Sequence, residues 1–163
     1  MAERKRSKLI EILLNEAAIT EVQLNRAKGG IHTNCEVYSL ISAGYISDIK
    51  VIGYVTKNAR IPYVILPAYE IDKEVLRLVP EEYCSVNCCL PVQRLVKDLT
   101  VAMVDPLDEQ VIEELHDMTK MVIRPVLCSL RDFLDVMKSV WIDIREEVAR
   151  SGEENTEANI AES

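Results

Sequence analysis

Between Leu9 and Asn58 the apolar residues recur at three- and four-residue intervals, the spacing of helices with one face turned inward. The pattern also repeats. A shift of 27 residues lays Leu13 on Leu40, Leu14 on Ile41, Ala17 on Gly44, Ile19 on Ile46, Thr20 on Ser47 and Leu24 on Val51. Each copy reads as a short amphipathic helix, a tight break, and a Thr or Ser suited to cap the next helix, because a hydroxyl there accepts from unpaired N–H groups of the first turn. In the first copy Thr20 and Gln23 have the capping-box spacing, and Gly29-Gly30 is expected to end the helix. In the second, Asn34 is expected to cap the first helix, Gly44 to supply the left-handed residue that stops it, and Ser47 to start another. The predicted unit is two helix-turn-helix pairs packed as four helices, residues 1–58.

After Asn58 the pattern changes. Ile61 to Leu66 is β-branched and carries Pro62, which favours extended chain. Asp72 can cap a short helix through Leu78, closed by Pro80. Leu90 to Val96 and Leu99 to Val104 read as strands joined in a hairpin at Lys97-Asp98, and Asp105-Pro106 stops the second. Val111, Ile112 and Leu115 place a helix over Asp108 to Met118, and Val122 to Leu127 returns to a strand. Ser129 then caps a long helix whose inward stripe is Leu130, Phe133, Leu134, Met137, Trp141 and Ile144, reaching Arg150. The order strand, helix, strand after a hairpin implies a small three-stranded mixed sheet with its last strand parallel to the one before the helix. The expected class is therefore α+β, with an N-terminal helical subdomain at residues 1–58 and a C-terminal α/β subdomain at 59–150.

Residues 151–163 hold four Glu, no Lys or Arg and one large apolar residue, a composition expected to form a flexible acidic tail. They contribute half of the formal net charge of -8. An acidic balance argues against binding a nucleic-acid polymer through a broad basic surface. The apolar runs are far shorter than the roughly 20 residues that cross a bilayer, so no transmembrane segment is expected. Met1-Ala-Glu-Arg-Lys-Arg lacks the apolar block of a secretory signal, and five Cys without export imply reduced thiols in the cytoplasm.

Enzyme signatures are missing from the five-glycine chain: neither a phosphate loop nor a dinucleotide fingerprint can be written from it. No spacing pairs His32 or His116 with a nucleophilic Cys. Cys84, Cys88 and Cys89 are the densest reactive cluster, read as small apolar filler, with a metal or redox site as the alternative. Glu81-Glu82, Glu113-Glu114 and Glu146-Glu147 are adjacent pairs that diverge by about 100 degrees on a helix, which makes them solvated faces rather than acid-base partners. No catalytic residue, metal ligand or required cofactor is predicted. Arg4-Lys5-Arg6-Lys8 is a short basic cluster that keeps the terminus wet or, as the alternative, helps bind an anion or an acidic membrane surface.

The repeat, then Ile61-Pro62-Tyr63-Val64, Ile71-Asp72, Leu78-Val79-Pro80-Glu81-Glu82, Leu90-Pro91-Val92, Leu99-Thr100-Val101-Ala102-Met103 and Asp105-Pro106-Leu107-Asp108 form a recognisable succession. From about Lys8 to Trp141 the chain resembles the N-terminal domain of type II secretion and type IV pilus assembly ATPases, the GspE family, also called the MshEN domain. The nucleotide-binding domain of those ATPases does not follow in this sequence, so either a free-standing form of the domain or an excised piece is implied, and the free-standing form is the expectation. The resemblance implies a non-catalytic module that docks onto a protein partner of secretion, pilus or motility machinery, cytoplasmic or recruited to the inner membrane through that partner.

Some members bind cyclic di-GMP through a tandem motif that opens Arg-Leu-Gly, has a later Gly and closes on Gln. In this chain the first copy opens Lys8-Leu9-Ile10, has Ala17 for the Gly and closes at Ile31. The second opens Cys35-Glu36-Val37, keeps Gly44 and closes at Asn58. Lys lacks the planar fork of Arg, and Glu36 sets a carboxylate where a phosphodiester would approach. The alternative ligand set that the resemblance implies is Lys8, Leu9, Leu13, Gly44 and Asn58, with cyclic di-GMP as the ligand.

Overall fold

The computed structural model describes residues 4–29 and 32–161, with side chains through Ser151. Gly30 and Ile31, named above as a helix stop and a motif end, lie outside the described residues, as do the side chains of the acidic segment beyond Ser151.

The repeat folds as two copies of one hairpin. Helix α1 (Lys8–Asn15) starts at Ser7, whose hydroxyl accepts from the Leu9 N–H, and α2 (Glu21–Ala27) starts at Thr20 with a complete capping box to Gln23. Helices α3 (Glu36–Ser42) and α4 (Asp48–Asn58) follow, α4 capped by the Ser47 hydroxyl on the Lys50 N–H. The breaks match atom for atom. Ala17 N–H donates to Leu14 and Ala18 N–H to Leu13; Gly44 N–H donates to Ile41 and Tyr45 N–H to Leu40. Both Ala17 (φ 58) and Gly44 (φ 81) are left-handed, as this tight stop requires.

Asn34 does not cap α3. The cap residue is Cys35, without a side-chain cap bond, and its own N–H is taken by the Thr33 hydroxyl. Asn34 is engaged elsewhere: its N–H donates to the Val86 carbonyl at 2.8 Å and its amide to the Asn87 Oδ1 at 3.2 Å. A long-range partner has overridden the local capping preference. Helix α2 ends at Ala27 with Lys28 as its cap.

Beyond Asn58 the chain runs extended, touches the sheet in one bridge from Tyr63 to Leu127, and makes a single 3-10 turn at Leu66–Ala68. Asp72 caps α5 (Lys73–Leu76), which stops short of Leu78. Pro80 opens rather than closes a helix: it is the cap residue of α6 (Glu81–Asn87), since a missing N–H costs nothing at a helix start. Strands β1 (Cys89–Leu95) and β2 (Asp98–Met103) pair antiparallel, with a register irregularity between Pro91 and Gln93. Asp108 caps α7 (Glu109–Thr119), and β3 (Val122–Leu127) then pairs parallel to β2. The order is β1-β2-β3, the mixed sheet expected for an α+β chain.

Leu127 turns its N–H and C=O away from β2 to Pro62 and Val64. Pro125, two residues earlier, therefore faces the same open side, where its missing N–H blunts an edge that could otherwise pair with another chain. Helix α8 (Leu130–Ala161) runs past Arg150 into the segment expected to be a flexible tail. Its first turn is held by Ser129 and by Asp48 of α4, which accepts from the Leu130 and Arg131 N–H groups at 2.8 and 3.1 Å.

One hydrophobic core spans the whole chain, joining Leu9, Leu13 and Leu40 of the repeat to Leu99, Val101 and Leu115 around the sheet and to Phe133 and Trp141 of α8. The seam between repeat and sheet is also polar, closed by Thr33 and Asn34 on α6 and by Asp48 on α8.

Candidate functional site

The residues of the tandem motif have different fates. Leu9 and Leu13 are 0% exposed, on the inward face that the helical spacing of α1 dictates. Lys8 is exposed, and its Nζ lies 2.7 Å from the Glu109 carboxylate at the start of α7. That pairing raises the lysine's pKa and lowers the glutamate's. Gly44 is exposed in its left-handed turn with open space around the position of a Cβ. Asn58 is exposed, and its side-chain amide donates to the Tyr54 carbonyl one turn back. Glu36, at the second copy's opening, is half-buried, and its Oε2 is buried without a hydrogen-bond partner among the described residues.

The basic arm before α1 lies on α7. Arg4 reaches Asp108 and Glu114 at 3.5 and 3.8 Å, Lys5 and Lys8 share Glu109, and Arg6 forks onto Glu21. Between arm and helix is a cleft of about 100 Å³ lined by Lys5, Arg6, Lys8, Glu109 and Gln110. Sites for drug-sized ligands run from roughly 300 Å³ upward. The basic cluster is thus largely matched by carboxylates of the same chain.

Beneath the arm lies a group of buried acids that spacing alone did not single out. Asp105, in the turn after β2, has its pKa pushed up to about 7, first by burial and further by the charges of Asp108 and Glu36. The Ser7 hydroxyl and the Leu107 N–H pull the other way. Asp108 is also raised by burial, against its cap bond to Val111 and the nearby Arg4 guanidinium. Burial and a hydrogen bond to Glu114 hold the Tyr83 hydroxyl well up as well. The sequence signal was Asp105-Pro106 with Asp108 close behind, read only as a strand stop and the start of a helix.

All five cysteines are buried and free. The Cys35 thiol meets that of Cys88 across the seam, and Cys89 meets Cys84; those contacts, together with burial, hold Cys35 and Cys89 in the neutral form. Burial does the same for Cys128. A reactive or ligating cysteine works as the thiolate, so these environments suit packing. Among the described residues no cluster of three or more His, Cys, Asp or Glu is placed to hold a metal ion. No described helix is long and apolar enough to cross a membrane.

Together these features define a small α+β module: paired helical hairpins set through one core onto a three-stranded mixed sheet. Residues 59–139 match the MshEN domain, and the chain resembles the N-terminal domain of type II secretion and type IV pilus assembly ATPases. It is 28% identical over 127 residues to the type IV pilus assembly ATPase PilB of Myxococcus xanthus (strain DK1622), a match that takes in 75% of this chain but 22% of that protein. Its fold is similar to that of MshE in a structure with cdg, with a TM-score of 0.55 at 23% identity over 82% of this chain and 98% of that one. The N-terminal domain of XpsE gives a TM-score of 0.57 at 17% identity over 83% and 97% of the two chains. At these identities the structural likeness is one of fold.

Proposed function

We propose that the chain is a non-catalytic interaction module, an adaptor or regulator acting with a protein component of pilus, secretion or motility machinery. The observation that carries this reading is the match to PilB, a pilus assembly ATPase, through a segment that is 22% of that protein's length. The placement of the reactive side chains supports it. The thiols are buried, and the basic arm is matched internally by α7. The decisive experiment is equilibrium binding of the purified chain to each cytoplasmic component of the pilus and secretion assemblies of its own cell. Saturable binding to one of them is the expected result, and no binding to any overturns the proposal.

The second reading is a cyclic di-GMP sensor, favoured by the fold shared with MshE, which has been solved with cdg. Gly44 and Asn58 are exposed for it at the surface. Three features weigh against it: Leu9 and Leu13 have no exposed surface to stack on a base, Lys8 is paired, and the adjoining cleft is small. Isothermal titration with cyclic di-GMP separates the two. No heat at high micromolar nucleotide leaves the adaptor reading alone.

A further inference from the structure

The tip of the β1–β2 hairpin breaks two rules at once. Val96 is left-handed, at φ 55, while Lys97 is not, so the tight turn has its positive φ at the first loop position, where glycine is the ordinary solution. A β-branched residue there is strained. Val96 is also 80% exposed and Leu95 beside it 69%.

The sheet register extends the patch. Leu95 pairs with Asp98 and Asp98 with Val122, so Leu95 and Val122 lie in one row on the same face of the sheet, and Val122 is 46% exposed. The Val122 N–H donates to the Lys97 carbonyl at 2.8 Å, which fixes the start of β3 against the loop. Arg94 and Lys97 bracket the two aliphatics, and Lys120 stands just before β3; all three are exposed and make no ion pair among the described residues. Asp98, held by Arg124 at 3.2 Å, stands between Leu95 and Val122 in that row, and Glu113 and Asp117 line the groove beside Val122.

We infer that this hairpin tip is a contact point for an anionic lipid surface, with Leu95 and Val96 entering the headgroup layer and Arg94, Lys97 and Lys120 meeting the phosphates. An aliphatic apex flanked by long, unpaired cations matches a layer that is apolar inside and negative at its face. The chain's net negative charge does not forbid the contact, because carboxylates more than about 10 Å away are screened at ordinary ionic strength. The site is independent of the protein-adaptor reading and stands or falls separately.

The test is co-sedimentation of the full chain with vesicles of phosphatidylcholine alone or mixed with phosphatidylglycerol, at low and high salt. Binding to the anionic vesicles only, weakened by salt, is expected. Lys97→Ala with Lys120→Ala should lower the partition coefficient about thirtyfold. Val96→Gly is the discriminating variant: it relieves the strained turn, so its melting temperature should rise while vesicle binding falls. A folding defect cannot produce that pair of signs. Failure of the unaltered chain to bind anionic vesicles at low salt overturns the inference. So does binding that Val96→Gly and the double lysine variant leave unchanged, and so does an acidic protein partner that needs the tip while vesicles do not bind.

Discussion

The two copies of the repeat share a turn down to its hydrogen bonds yet are tied to the rest of the molecule by different chemistry. In the first copy Glu21, the residue after the cap, pairs with Arg6 at the surface. Its equivalent in the second copy, Asp48, instead accepts from two backbone N–H groups at the start of α8. The first copy leans on α7 through exposed ion pairs that contribute little, whereas the second fastens α8 through charge-assisted bonds that satisfy a helix end. Duplication preserved the scaffold; what diverged is how each copy is coupled to the sheet half.

The largest effects should fall where the copies remain alike. Leu13 and Leu40 are equivalent and both fully buried. Leu13→Ala and Leu40→Ala should each cost about 2–5 kcal/mol in urea unfolding, by lost burial and the cavity left behind. If the helical unit unfolded apart from the sheet, the two variants would split the transition into two steps. A single shifted transition is expected, because one core joins both halves.

Next is Asp105, which touches both copies, through Ser7 of the first and the charge of Glu36 of the second. Its carboxyl pKa is raised in the folded chain, to about 7 from 3.8. The folded state therefore holds this proton more tightly than the unfolded one, and the group's contribution to stability falls as pH rises from about 4 to 7. Asp105→Asn keeps an acceptor for the Leu107 N–H and removes the buried charge. The variant should gain about 4 kcal/mol relative to the parent at pH 8, with the gain fading toward pH 4, in melting curves across that range. A gain independent of pH would mean the carboxyl is not the titrating group.

Asp48→Ala should cost about 1–2 kcal/mol and speed hydrogen exchange in the first turn of α8, because two N–H groups lose their partner. Glu21→Ala at the equivalent position should change stability by less than about 0.5 kcal/mol, as exposed pairs do. Equal losses would erase the proposed division between the copies.

Much of this was legible in the sequence, for physical reasons. Periodicity reports which face is buried, so the hairpins, β3 and the inward stripe of α8 followed from spacing. Thr20, Ser47 and Asp72 cap as read because their bonds are local. Asn34 failed because its partner, Asn87, is 53 residues away in sequence, and no local rule ranks a distant amide above the next helix turn. α8 outruns Arg150 because Glu and Ala, read as solvating composition, are also strong helix formers. At the candidate site, spacing placed Leu9 and Leu13 on one face of α1. It could not tell that this face is turned wholly into the core, nor that Asp105 would be buried beneath the arm.

The smallest effect separates the copies most cleanly, because it concerns a single carbon atom. Ala17 and Gly44 adopt the same left-handed turn, but only glycine does so without a Cβ that crowds the backbone. No heavy atom lies within 4 Å of where a Cβ on Gly44 would stand, so Gly44→Ala creates no clash and reads the backbone term alone. It should destabilise by about 1 kcal/mol. Ala17→Gly should stabilise by about 0.5–1 kcal/mol, the reverse of the usual result inside a helix. The double variant, which exchanges the two residues, should fall within about 0.5 kcal/mol of the parent, since the turns are equivalent and the sites do not share a partner. If Ala17→Gly were neutral, the first turn would already be relaxed by its neighbours, and the two copies would differ in backbone strain as well as in their attachments.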